Sequence, residues 1–143
     1  MGKVRNILET KSKIIFSVSP ETSVYIALEV MFDKNISSLL ILENNQPVGI
    51  FTERDYARKI ALKGRNSRDT KMSEIMTKNL ITITPDYTIE DAMRIMTEKH
   101  IRHLPVLENE KLIGVISIGD LVKYLIEEQK FIIGNLENYI GRV

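Results

Sequence analysis

The chain has 143 residues, 43% of them hydrophobic and 27% charged, which fits one compact domain or two very small ones and excludes wholesale disorder. Lys and Arg total 20 against 19 Asp and Glu, so the basic excess of a dedicated nucleic-acid binder is missing. The absence of cysteine excludes a disulfide framework, a thiolate zinc site and a cysteine nucleophile. No apolar run approaches the roughly 20 residues of a membrane span, and the start of the chain lacks the apolar core of a signal peptide, so a soluble cytoplasmic protein is expected.

In chain order, Ile14 to Val18 reads as a short strand ended by Pro20, which has no ladder donor. Thr22 or Ser23 is placed to cap a helix carrying Val24, Ala27, Leu28 and Met31 at helical spacing. A strand rich in β-branched residues and leucine follows from Ile36 to Leu42, then a polar turn at Asn44-Asn45 and a returning strand from Val48 to Phe51. The next helix is expected from about Glu53 to Lys63, stopped by Gly64. After a charged stretch, Arg65 to Thr70, the same order returns. Leu80 to Ile83 reads as a strand, Thr88 as a cap, and Ile89, Ala92, Met93 and Met96 as a helix face. Two strands, Ile101 to Leu107 and Leu112 to Ile116, flank a turn at Asn109, and a last helix runs from Ile118 to Gln129 or beyond.

The recurrence is a true repeat. Displaced by 65 positions, the segment from Pro20 to Asp55 falls on itself without a gap. Pro20 meets Pro85, Ala27 meets Ala92, Met31 meets Met96, and Lys34 meets Lys99. Ile36, Leu39, Leu42 and Glu43-Asn44 meet Ile101, Leu104, Leu107 and Glu108-Asn109. Gly49 meets Gly114, and Asp55 meets Asp120. The expected organisation is α+β, with two β-α-β-β-α units: residues 1–64, a linker at 65–70, residues 71–130, and a C-terminal extension at 131–143. A unit of this size is marginal alone, so two packed sheet to sheet with pseudo-two-fold symmetry would share one core.

The turn into each second helix carries the most chemistry. Gly49-Ile50-Phe51-Thr52-Glu53-Arg54-Asp55 and Gly114-Val115-Ile116-Ser117-Ile118-Gly119-Asp120 both place a hydroxyl three residues before an aspartate, directly after an apolar strand. One reading is a capping box, worth about 1 kcal/mol to the helix. The other is a ligand site: a helix N-terminus suits a phosphate, and an aspartate one turn in can accept both hydroxyls of a ribose. A repeat copies caps as readily as sites, so recurrence does not separate them.

Several features occur together: the proline after the first strand, the Ala-x-x-x-Met helix, Leu104-Pro105-Val106, the glycine, and the hydroxyl-x-x-Asp turn. In this combination the repeat resembles the cystathionine β-synthase (CBS) domain, and the pair resembles a CBS-domain tandem, or Bateman module, over about Val4 to Ile126. Copy one departs at Leu40, where copy two has Pro105. The resemblance implies a regulatory, energy-sensing module that binds an adenosine-containing ligand, AMP, ADP or ATP first, with S-adenosylmethionine or NAD as alternatives. It implies one cleft using Thr52 and Asp55 with Ile101 and Arg102, and another using Ser117 and Asp120 with Ile36 and Ser37. His103 and Ser38 would approach the phosphate region of their own repeat's site, and the backbones of Lys13 and Lys78 would border the adenine. Arg102 would give the Asp55 site a permanent cation, against a histidine of pH-dependent charge at the Asp120 site.

His100 and His103 are the only histidines, with no carboxylate cluster at ligand spacing, so no metal is expected. There is no nucleophile elbow, phosphate loop or dinucleotide fingerprint, so no enzyme is expected. The stretch from Leu121 to Ile140 carries more apolar residues than closing one unit needs. It reads as a helix folded back on the module or as a homodimer contact, the latter being favoured. The competing functions are a structural protein-interaction module without ligand, and nucleic-acid binding through Lys11 to Lys13 and Lys63 to Lys71.

Overall fold

A hydroxyl cap starts, and a left-handed residue stops, the 11-residue helix of each copy. The computed structural model describes residues 2–11 and 14–141. The chain divides into two compact units: residues 1–13, 83–108 and 113–143 form one, and residues 14–82 and 109–112 the other.

In the unit built on residues 14–82, strand β1 (Ser17–Val18) leads to helix α2 (Val24–Lys34). The Ser23 hydroxyl accepts from the Ile26 N–H at 3.2 Å to start α2. Asn35, at φ 53°, ends it in the left-handed region that asparagine tolerates. Strands β2 (Ser38–Glu43) and β3 (Gln46–Thr52) pair antiparallel, and β1 pairs parallel with β2, giving the order β1-β2-β3. Asn44 and Asn45, both at positive φ, make the two-residue hairpin turn. Val24, Ala27 and Met31 of α2 pack against Leu39, Ile41 and Phe51 to form the core. Ile60, Met72 and Ile75 close it. Ile14, expected in the first strand, is exposed and outside it.

Helix α3 (Glu53–Asp55) is shorter than the sequence suggests. It opens at once into a π-helical stretch, Tyr56–Ala61, with the Leu62 N–H donating to the Ala57 carbonyl at 3.0 Å. Gly64, at φ +65°, ends it as expected. Residues 65–70 are tied to the start of α2. The Thr70 carbonyl accepts from the Val24 N–H at 2.8 Å, the Ser67 carbonyl from Tyr25, and Arg68 stacks on the Tyr25 ring at 4.2 Å. The short helix α4 (Met72–Ile75) then joins this unit's core.

The other unit repeats the plan. Thr88 caps α5 (Ile89–Lys99) by accepting from the Asp91 N–H at 3.0 Å, and His100, at φ 56°, ends it. His100 thus stands where Asn35 stands in the first copy, as a helix stop. Strands β4 (His103–Glu108) and β5 (Lys111–Ser117) pair across Asn109-Glu110, both at positive φ. The expected strand at Leu80 to Ile83 is reduced to one parallel bridge, Ile83 to Val106. Copy one pairs Ser17 with Leu40 and Val18 with Ile41. In copy two, Pro105 replaces Leu40, and its carbonyl accepts from Ile83 at 3.1 Å while its nitrogen has nothing to donate. Helix α6 (Ile118–Gly141) runs unbroken for 24 residues, across the point where an extension was expected to begin.

The helix α1 (Val4–Thr10) belongs with α5, β4, β5 and α6. Its hydrogen bonds match those of α4: Val4 and Arg5 donate to Tyr87 and Pro85, as Met72 and Ser73 donate to Thr22 and Pro20. The pairs Val4/Met72 and Ile7/Ile75 are all buried. These pairs are offset by 68, not 65, so copy one carries three extra residues between α1 and β1 (68 − 65 = 3). A gapless comparison therefore hides this part of the repeat. Each short helix rests on a glycine: a Cβ on Gly49 would lie 2.5 Å from the Met76 sulfur, and one on Gly114 would lie 2.6 Å from Leu8 Cδ2.

Candidate ligand-binding turns

Both hydroxyl-x-x-Asp turns form reciprocal caps. The Asp55 N–H donates to the Thr52 hydroxyl at 3.1 Å, and the Thr52 N–H donates to Asp55 Oδ2 at 3.0 Å. In the other unit the Asp120 N–H donates to the Ser117 hydroxyl at 3.1 Å, and the Ser117 N–H donates to Asp120 Oδ2 at 2.9 Å. The capping reading is therefore realised at both turns. The strand-helix junction is fixed from behind as well. The Glu53 N–H donates to the Ser37 carbonyl at 3.2 Å, and the Ile118 N–H donates to the Arg102 carbonyl at 2.9 Å. These are equivalent positions, so each turn is pinned to the residue just before its middle strand.

Each unit thus gathers its own set. Ile36, Ser37, Ser38, Thr52 and Asp55 fall together around the first turn, with Ser38 opposite Thr52 in the β2–β3 register. Ile101, Arg102, His103, Ser117 and Asp120 fall together around the second. Of the two lysines expected near an adenine, Lys78 is exposed and Lys13 lies outside the described residues.

Each aspartate also has a lysine partner that the sequence reading did not single out. Lys59 Nζ lies 3.4 Å from Asp55 Oδ1, donates to the Ile75 carbonyl at 2.9 Å, and reaches the Thr77 hydroxyl at 3.3 Å. Thr77 in turn donates to Asp55 Oδ1 at 3.3 Å. Lys11 Nζ lies 2.6 Å from both Asp120 Oδ2 and the Val115 carbonyl. At the 65 offset Lys59 meets Tyr124, so the repeat gives no sign of it. The i, i+4 spacing of Asp55 and Lys59 on one helix was the available signal. For Lys11 no local signal exists, since it lies 109 residues from Asp120.

The electrostatics of the second turn are defined. Burial pushes the Asp120 carboxyl up, but the hydrogen bonds from Lys11 and the Ser117 backbone, with the Lys11 charge, outweigh it and hold the group below the usual carboxylate range. Burial holds the His103 imidazole below its ordinary value; the Lys11 and Arg102 charges act the same way and Asp120 opposes them. The charge on His103 therefore stays pH-dependent but forms only at lower pH than on an ordinary histidine. Among the described residues no group of three or more His, Cys, Asp or Glu side chains is placed to hold a metal.

The sequence pattern of the CBS domain matches residues 4–62 and again residues 72–127. The chain belongs to the CBS-domain family. It is a CBS-domain pair, and its first match spans α1 to the π-helical stretch while its second spans α4 to the first half of α6. It is 40% identical over 125 residues to the mitochondrial CBS domain-containing protein CBSX3 of Arabidopsis thaliana, covering 84% of this chain and 61% of the plant protein. The chain thus spans less than two thirds of that relative. A CBS-domain protein from Burkholderia ambifaria superposes with a TM-score of 0.86 at 44% identity, over 89% of this chain and 96% of the other. The CBS-domain pair of protein MJ0100, solved with 5′-methylthioadenosine and S-adenosyl-L-methionine, superposes with a TM-score of 0.78 at 25% identity, over 90% of this chain and 98% of that one. Among the described residues no helix is long and apolar enough to cross a membrane.

Proposed function

We propose that this CBS-domain pair is a regulatory module that binds an adenosine-containing ligand at its Asp55 and Asp120 turns and passes the signal to a partner protein. The observation that carries the reading is the pairing of a capped aspartate with an ammonium group at both turns. A carboxylate accepts from ribose hydroxyls, and a nearby cation together with helix N–H groups suits a phosphate. That combination favours AMP, ADP or ATP. Ile36, Ser37, Ser38, Ile101, Arg102 and His103 are kept as the further contacts that the family resemblance implies. The MJ0100 complex supports a second reading, in which the ligand is S-adenosylmethionine or 5′-methylthioadenosine. The exposed apolar face of α6 supports a homodimer as the working form.

A ligand that only binds transmits nothing. It must favour one of two states, by a coupling that is typically about 1–3 kcal/mol. The test is a thermal-shift panel with AMP, ADP, ATP, S-adenosylmethionine and NAD, run beside an Asp55→Ala, Asp120→Ala chain whose own melt shows that it folds. Ligand at about 100 times its dissociation constant stabilises the fold by about 2.7 kcal/mol. One adenosine ligand is expected to raise the melting temperature of the wild type and not of the variant. No shift with any of the five reduces the turns to helix caps and leaves the interaction module.

A further inference from the structure

The two turns load their aspartates differently, oxygen by oxygen. An ionised carboxylate has about four acceptor positions, two on each oxygen. On Asp55 both oxygens are engaged. The Thr52 N–H and hydroxyl donate to Oδ2 at 3.0 and 3.2 Å. The Thr77 hydroxyl donates to Oδ1 at 3.3 Å, and the Lys59 ammonium lies 3.4 Å from the same atom. On Asp120 the donors crowd onto one oxygen: the Ser117 N–H at 2.9 Å and the Lys11 ammonium at 2.6 Å both end on Oδ2. Among the described residues no hydrogen bond or ion pair ends on Asp120 Oδ1. Exposure follows the same order, with the Asp55 side chain 13% exposed and that of Asp120 24%.

Thr77 is fixed in its place. Its N–H donates to the Ile50 carbonyl at 2.9 Å, and its carbonyl accepts from the Ile50 N–H at 3.0 Å, an antiparallel bridge to β3. Ile50 stands two residues before Thr52, so the bridge delivers the Thr77 hydroxyl to the turn. Lys59 then orients that hydroxyl. Its ammonium donates to the Thr77 oxygen at 3.3 Å, which leaves the hydroxyl proton for Asp55. In the other unit the side chain that arrives from the segment after α1 is Lys11, and it bonds Oδ2 and the Val115 carbonyl.

A ribose brings two neighbouring hydroxyls that need acceptor positions. At Asp120 they find Oδ1 open. At Asp55 they have to displace Thr77, and the bridge to Ile50 keeps the displaced hydroxyl at hand to compete. We infer that the Asp120 turn is the tight ribose site and that the Thr77 hydroxyl sets the Asp55 turn to lower affinity. The inference rests on the adenosine-ligand reading above and gives the two turns an order of filling.

Calorimetric titration of chains with one turn intact tests this, with AMP and S-adenosylmethionine as probes because both carry the ribose diol. Asp55→Ala retains the Asp120 turn, and Asp120→Ala retains the Asp55 turn. The Asp55→Ala chain is expected to bind the probe at least about threefold tighter than the Asp120→Ala chain. Adding Thr77→Val to Asp120→Ala is expected to tighten binding about three- to tenfold, the net worth of one hydrogen bond. Thr77→Ser, which keeps a hydroxyl, is expected to fall short of that gain. A damaged fold does not raise affinity, and a melting curve of each chain shows that it folds. Equal binding by the two single-turn chains, or tighter binding at Asp55, overturns the order of filling. Thr77→Val without a gain overturns the role of the hydroxyl. Both of those results leave the adenosine reading standing, whereas a wild type that gives no binding heat with either probe overturns that reading and this inference together.

Discussion

His103 shows how one residue changes meaning between sequence and structure. In the sequence it is a titratable group beside an arginine; folded, it is part-buried, and burial with the Lys11 and Arg102 charges lowers its pKa. Its folded-state pKa is lowered, so below about pH 6.5 the unfolded chain takes up a proton that the folded chain refuses. Stability rises with pH wherever the unfolded state binds more protons. The contribution is therefore complete above about 6.5 and is lost as pH falls. Asp120, also held low, adds a loss of the same sign in the more acid range, below about 3.9. Melting temperature is expected to fall between pH 7.5 and pH 5.0, with a shallower slope in His103→Gln. An identical slope in that variant would show that the imidazole titrates normally. Lys11 teaches the converse lesson: its partner is over a hundred residues away, and no residue-level pattern announces such a contact.

At the scale of elements, most of the fold was legible because it rests on local chemistry. Ser23 and Thr88 as caps, Asn44-Asn45 as a hairpin turn and Gly64 as a helix stop all follow from what those residues do to the backbone near them. The misses are where tertiary pairing decides. The copies differ at Leu40 and Pro105, but what the proline costs the neighbouring strand depends on which residue faces it, and that is a matter of register. The π-helical widening after Asp55 breaks the 3.6-residue period in a way that no spacing rule foresees. The short helices α1 and α4 were missed as a matched pair because three extra residues displace them. Their seats on glycine give a direct test. Gly49→Ala puts a methyl within 2.5 Å of the Met76 sulfur and 2.8 Å of its Cγ, so α4 or the Met76 side chain must shift. Overpacking of this kind costs about 1–3 kcal/mol. Urea unfolding is expected to show that loss, and an unchanged midpoint would mean that Met76 moves aside freely.

For the molecule as a whole, duplication gives two similar turns, and divergence gives them different surroundings. Asp55 takes its lysine from its own helix, and Asp120 takes one from the segment after α1. The two turns are therefore expected to bind the same ligand with different affinity. The aspartates themselves were visible in the sequence, because the repeat brings them into register; the lysines that give the turns their charge were not. The capping bonds at both turns engage Oδ2, and at Asp55 Thr77 donates to Oδ1, so a ribose hydroxyl has to compete with Thr77 there. Calorimetry decides that competition. AMP, or whichever adenosine ligand shifts the melt, would be titrated into the wild type, Asp55→Ala, Asp120→Ala and the double variant. The account predicts that each single substitution removes or weakens one binding event at least tenfold and that the double variant gives no binding heat. Binding to the folded double variant as tight as to the wild type would contradict it.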